Sequence, residues 1–90
     1  MNQAIVNPAE LRQFTENLRR FNQDMKGRIG SLQANFNALG ETWQDQEHAR
    51  FAEEFAVTVK AFKRFIEVSE EHVPFLLRKA QRAEEYLKQR

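Results

Sequence analysis

Two long apolar seams at helical spacing, separated by a single break at Gly40, constrain this chain more than any other feature of its sequence. The first seam runs Leu11, Phe14, Leu18, Phe21, Met25, Ile29, Leu32, Phe36, Leu39, in steps of three or four throughout. That is the stripe an amphipathic helix presents to a partner. The second seam runs Phe51, Phe55, Val59, Phe62, Ile66, Ser69, Val73, Leu76, Ala80, Ala83, Leu87. Each seam contains one place where two four-residue steps follow each other, a stutter that relaxes supercoiling locally.

The boundaries of both helices are marked. Asn7-Pro8-Ala9-Glu10 supplies an N-cap, a proline at the first helical position and a glutamate at the third, the pattern of a helix start. Gly40 is expected to close the first helix in the left-handed conformation. Thr42 is expected to cap the second, with Asp45 and Glu47 placing negative charge in its first turn. The reading is therefore all-α and a single domain over residues 1–90: helix 1 over about 8–39, a turn over about 40–44 and helix 2 over about 45–88. Pro74 removes a backbone donor and crowds the preceding turn. A kink near Glu70–Val73 is expected, or a third helix starting at Pro74.

Folding the chain about Glu41–Thr42 matches the seams layer for layer. Leu32 then meets Phe51, Ile29 meets Phe55, Met25 meets Val59, Phe21 meets Phe62, Leu18 meets Ile66 and Leu11 meets Val73. Agreement between two separate patterns predicts an antiparallel helical hairpin. Its core seam is Leu18, Phe21, Met25, Ile29, Leu32, Phe51, Phe55, Phe62 and Ile66. Gly27 and Gly30 sit beside the stutter of the first helix, where they mark a bend or close helix contact or are merely tolerated, each costing about 1 kcal/mol relative to alanine.

A lone hairpin leaves two features unexplained. In this register the residues from about Leu76 to Arg90 overhang the first helix and have no partner. Helix 2 also carries a second stripe, Val57, Ala61, Phe65, Val68, His72 and Phe75, which nothing in the same chain covers. Both predict that a second chain pairs with this one, with Val57, Ala61, Phe65, Val68 and Phe75 at the interface. Trp43, the single tryptophan, lies in the turn. It either plugs the end of the bundle or is presented to a partner, in the second case together with the far end of helix 2 around Ala83 and Tyr86.

Several classes of function are disfavoured. The 14 basic and 13 acidic residues are interspersed along the chain, for a net charge of +1, so no basic face suits nucleic acid. There is no cysteine, which excludes disulfides and thiolate metal sites. No apolar run reaches membrane-spanning length, so no membrane insertion is expected. The stretch Met1 to Pro8 lacks the basic and apolar regions of a cleavable signal peptide. No set of convergent polar groups suggests catalysis, so the chain is not expected to be an enzyme and no cofactor is expected. Asp45 and His48 share a helical face at a spacing used in metal-binding bundles, but one such pair makes no site, so no metal is assigned.

The combination of an Asn-Pro-x-Glu helix start, a helix of about thirty residues, the turn Trp43-Gln44-Asp45-Gln46 and the opening Arg50-Phe51-Ala52-Glu53-Glu54-Phe55 resembles the Trp-X-Gly (WXG) family of small proteins tied to type VII (ESX) secretion. The resemblance spans roughly Pro8 to Tyr86. It implies a helical hairpin that dimerises into a four-helix bundle, as a homodimer or with a similar hairpin protein, with a secretion ATPase as a further partner. It also implies export without a cleavable signal peptide or a role as partner of something so exported. Two positions depart from the family pattern. Asp45 stands where the family has glycine, and Tyr86 is followed four residues later by Arg90 rather than an acid. The departures leave two readings open: a protein secreted by or associated with an ESX-like system, or a cytoplasmic helical adaptor or regulator that is not exported.

Overall fold

The computed structural model describes residues 6–89. Helix α1 spans Pro8–Leu39 and helix α2 spans Gln46–Lys88, and the described residues contain no strand. The two helices lie antiparallel in a rod of 67 × 22 × 15 Å. This is the all-α hairpin expected from the paired seams.

The start of α1 follows from its sequence: the Asn7 side chain accepts from the Glu10 N–H at 3.1 Å, with Pro8 at the first helical position. The turn is built differently from expectation. Gly40 has φ −62° and ψ −15°, so it stays right-handed. Backbone N–H groups of Glu41, Thr42 and Trp43 go on bonding back to Ala38 and Leu39 carbonyls, and the chain keeps winding past the end of α1. Thr42 is consumed in that winding, its hydroxyl facing the Leu39 carbonyl at 3.4 Å. The N-cap of α2 is instead Asp45, whose carboxylate accepts from the His48 N–H at 3.0 Å.

Because the turn pivots later, the register also moves. Phe21 lies edge-to-face against Phe65, centroids 6.4 Å apart, about one helical turn beyond the Phe62 expected opposite it. Asn22 bonds Ser69 at 2.7 Å. Near the open end the Arg12 guanidinium grips both Glu84 carboxylate oxygens at 2.8 and 2.9 Å, and Ala80 is fully buried. The expected overhang beyond Leu76 therefore does have a partner in its own chain. Helix α2 stays helical through Pro74, and no third helix starts there. A Cβ at Gly27 or Gly30 would meet nothing within 4 Å, so neither marks a close helix contact.

The buried line is narrow. On α2 it is Val59, Ile66, Ser69 and Ala80; on α1 it is Thr15, Asn22 and Ile29. Ile29, Val59 and Ile66 form the central cluster, with Met25 and Phe55 packed against it and Leu18 partly buried. Four residues assigned to the core seam lie elsewhere in the single chain: Phe21, Leu32, Phe51 and Phe62 are 43–55 % exposed. The reason is rotational. The apolar stripe of α1 is wider than one helix can cover, and α2 sits against the edge that carries Thr15 and Asn22, leaving the other edge outside.

Candidate interaction surfaces

Two aromatic groups stand out, one closing the loop end of the hairpin and one lying along its side. The first begins at the cap. Asp45 fixes the backbone of His48, and its carboxylate is held below its ordinary range, chiefly by the His48 N–H, with the Trp43 side chain and the Glu47 N–H assisting against desolvation. The His48 ring then lies flat on Phe36, centroids 4.8 Å apart and 7° from parallel, while Trp43 packs edge-to-face with the same imidazole at 4.9 Å. Phe55 and Phe51 complete the cluster, 5.3 and 5.5 Å from Phe36. The Gln44 side chain donates to the Gly40 carbonyl at 3.1 Å, which ties the turn to the end of α1. A Cβ on Gly40 would sit 3.5 Å from His48 Nε2 and 3.3 Å from the Asn37 carbonyl. Gly40 thus makes no left-handed turn, and a Cβ there would meet His48 at ordinary contact distance. Trp43, Gln44 and Asp45 form one folded unit with His48, and Trp43 is half-buried within it.

The absence of glycine at position 45 has a direct explanation. Asp45 has φ −100° and ψ −174°, extended backbone open to any residue. The conformation here does not require glycine, and an aspartate adds the cap.

The second group is the edge of the apolar stripe that α2 leaves uncovered. Phe14 and Phe21 of α1 are 56 % and 46 % exposed, and Phe62 and Phe65 of α2 are 43 % and 51 % exposed. Phe21, Thr58, Ala61, Phe62 and Phe65 line one shallow apolar groove between the helices. Ala61 and Phe65, expected on a stripe of α2 alone, share this groove with α1. Val57 is exposed nearby and Val68 is partly buried. Phe75 lies further along α2, exposed, with the Arg78 guanidinium 4.6 Å over its ring and His72 6.3 Å away. Sequence periodicity found these aromatics but assigned Phe21 and Phe62 to the core, because it reports a helix face and not how much of that face one partner covers.

Tyr86 is exposed and Ala83 partly buried at the open end of the hairpin. They are far from Trp43 within one chain, so they can share a surface with it only across two chains. Arg90 lies outside the described residues, as does the first part of the N-terminal stretch, Met1 to Ile5.

Charged contacts are dispersed. Arg12–Glu84 and Lys26–Glu70, the latter at 3.0 Å, cross between the helices. The hydrogen bond and charge of Glu84 raise the pKa of Arg12, and Arg12 in turn lowers that of Glu84. Glu70 is thereby occupied within its own chain. Among the described residues no three His, Asp or Glu side chains are grouped to hold a metal ion, and no helix is long and apolar enough to cross a membrane.

A family model, WXG100, described as proteins of 100 residues with WXG, matches residues 3–86. No curated protein and no solved structure matches the chain.

Proposed function

Because the chain belongs to the WXG100 family, a membership that implies a small protein of the ESX-associated kind, we propose that it acts as a non-enzymatic interaction protein whose uncovered aromatic edge pairs with a second hairpin. The supporting observation is the apolar groove around Phe21, Phe62 and Phe65, with Phe14, Leu32 and Val57 exposed beyond it on one rod of 67 × 22 × 15 Å. Contiguous exposed aromatics on a small chain mark an interaction site. A face of these dimensions suffices for the roughly 800 Å² per partner of a standard interface. The partner is a second copy or a similar hairpin, and the interface draws on both helices: Phe14, Phe21 and Leu32 from α1 with Val57, Ala61, Phe62 and Phe65 from α2. Val68 and Phe75 extend the same interface along α2. Trp43, Ala83 and Tyr86 form a separate recognition surface when two chains bring opposite ends together, and a secretion ATPase is the partner proposed for it. The protein is exported without a cleavable signal peptide.

Sedimentation tests the pairing. Wild-type protein should be dimeric at micromolar concentration, alone or with its partner hairpin, and Phe65→Asp should be a folded monomer. Fractionation of the native cell tests export. Protein confined to the cytoplasm, with no secretion ATPase co-purifying, would favour the unexported adaptor.

A further inference from the structure

The completely buried Asn22 sits where an apolar residue would suit the seam. It donates from Nδ2 to Ser69 Oγ at 2.7 Å, and the Ser69 hydroxyl donates to the Ile66 carbonyl at 3.0 Å. That chain of donors and acceptors fixes the orientation of the amide, since Ser69 has used its hydrogen on its own helix. Asn22 Oδ1 is buried without a partner among the described residues, which costs the fold more than an apolar side chain at this position would. Thr15, the other buried polar residue of α1, bonds only to the Leu11 carbonyl of its own helix at 2.8 Å. Its hydroxyl therefore makes no bond across the seam, whereas the Asn22 amide does.

The rotation that Asn22 selects is not the one the apolar residues of α1 would choose. With about 100° per residue, the centre of the stripe from Leu11 to Leu39 lies roughly 60° from the line through Thr15, Asn22 and Ile29 that is actually buried. Rolling α1 by that amount would bring Phe14 and Phe21 inward and carry Asn22 away from Ser69. A lone hairpin would gain apolar burial from such a roll. A single buried polar pair is an established means of choosing one helix register over a more apolar alternative.

We propose that the Asn22–Ser69 hydrogen bond sets the rotation of α1 on α2 and thereby keeps the Phe14–Phe21 edge outside the hairpin, available to a second chain. The first half stands on the geometry of one chain; the second rests on the pairing proposed above.

Because the chain has no cysteine, single cysteines report the rotation. Phe14→Cys and Thr15→Cys are each reacted with a maleimide, at protein concentrations low enough for the monomer to dominate. With Asn22 and Ser69 intact, the cysteine at position 14 should react faster by about tenfold or more, since the one at 15 is reached only by local opening. With Asn22→Ala and Ser69→Ala together the ratio should fall toward unity or invert. The exchange Asn22→Ser with Ser69→Asn, which restores a polar pair, should recover it. If the alanine pair does not fold by circular dichroism, Asn22→Ser alone replaces it, with the same fall expected. An unchanged ratio in the folded variant overturns the proposal. Self-association is measured separately: the alanine pair should weaken it by about tenfold or more, equivalent to about 1.4 kcal/mol. A wild type that never dimerises removes the pairing and leaves the thiol result to decide the rotation. A fall in the thiol ratio with association unchanged overturns the second half alone.

Discussion

The imidazole of His48 lies flat on the ring of Phe36, 7° from parallel with centroids 4.8 Å apart. This contact joins the first turn of α2 to the last of α1 and makes the reversal of the chain a packed structure. It depends on the Asp45 cap, which orients the backbone of His48. Trp43 packs edge-to-face with the same imidazole, centroids 4.9 Å apart.

Trp43 is only half-buried and meets His48 by its edge. Trp43→Ala should therefore cost less than the 3–5 kcal/mol of a fully buried aromatic, about 1–3 kcal/mol. Urea denaturation gives the value. Acrylamide should quench Trp43 fluorescence to a degree intermediate between free and buried indole; complete protection in the monomer would contradict the placement.

Gly27 and Gly30 lie in mid-helix, and a side-chain carbon added at either would meet nothing within 4 Å. Gly27→Ala and Gly30→Ala should each stabilise the protein by about 0.5–1 kcal/mol, through helix propensity and a less disordered unfolded chain. Thermal melts of the two variants check this, and a loss of stability at either site would reveal a contact formed only in the assembly.

The Asp45 carboxylate is held below its ordinary value of 3.8, first by the His48 N–H. A depressed folded-state pKa contributes stability that is fully present above the unfolded value and lost as pH falls through the folded one. The cap's contribution should thus be constant at neutral pH and fade below about pH 4. Asp45→Asn keeps a good cap without the charge. In melts from pH 7 to pH 2 the wild type should fall toward the variant only in the acid range; parallel curves throughout would show that Asp45 carries no such linkage.

Buried and uncovered apolar residues should separate into two classes. Ile29→Ala and Ile66→Ala remove atoms from the central cluster and should cost about 2–5 kcal/mol each in the single chain. Phe14→Ser and Leu32→Ser remove exposed side chains and should leave the monomer within about 1 kcal/mol. Their effect should appear instead in sedimentation as weaker association. Equal destabilisation of the monomer by both classes would contradict the rotation of α1.

By itself the sequence determined the hairpin. Periodicity of three and four on either side of one break admits only two helices, and matching seams admit only an antiparallel pair. The cap at Asn7 was equally legible, because an Asn-Pro-x-Glu start acts through bonds within four residues. What lay beyond local reach was decided by packing. Gly40 and Thr42 were assigned from residue preference, whereas the winding of the chain through Trp43 moved the cap to Asp45. Phe21 and Phe62 belong to the apolar stripes and were read as core. A stripe records which side of a helix is apolar, not where on that side the partner sits. The buried pair Asn22–Ser69 is formed only when both helices are present, and Asn22 belongs to no apolar pattern. Only the tertiary structure could show that this pair lies at the centre of the seam, and that the aromatics on which pairing is proposed to depend lie beside it.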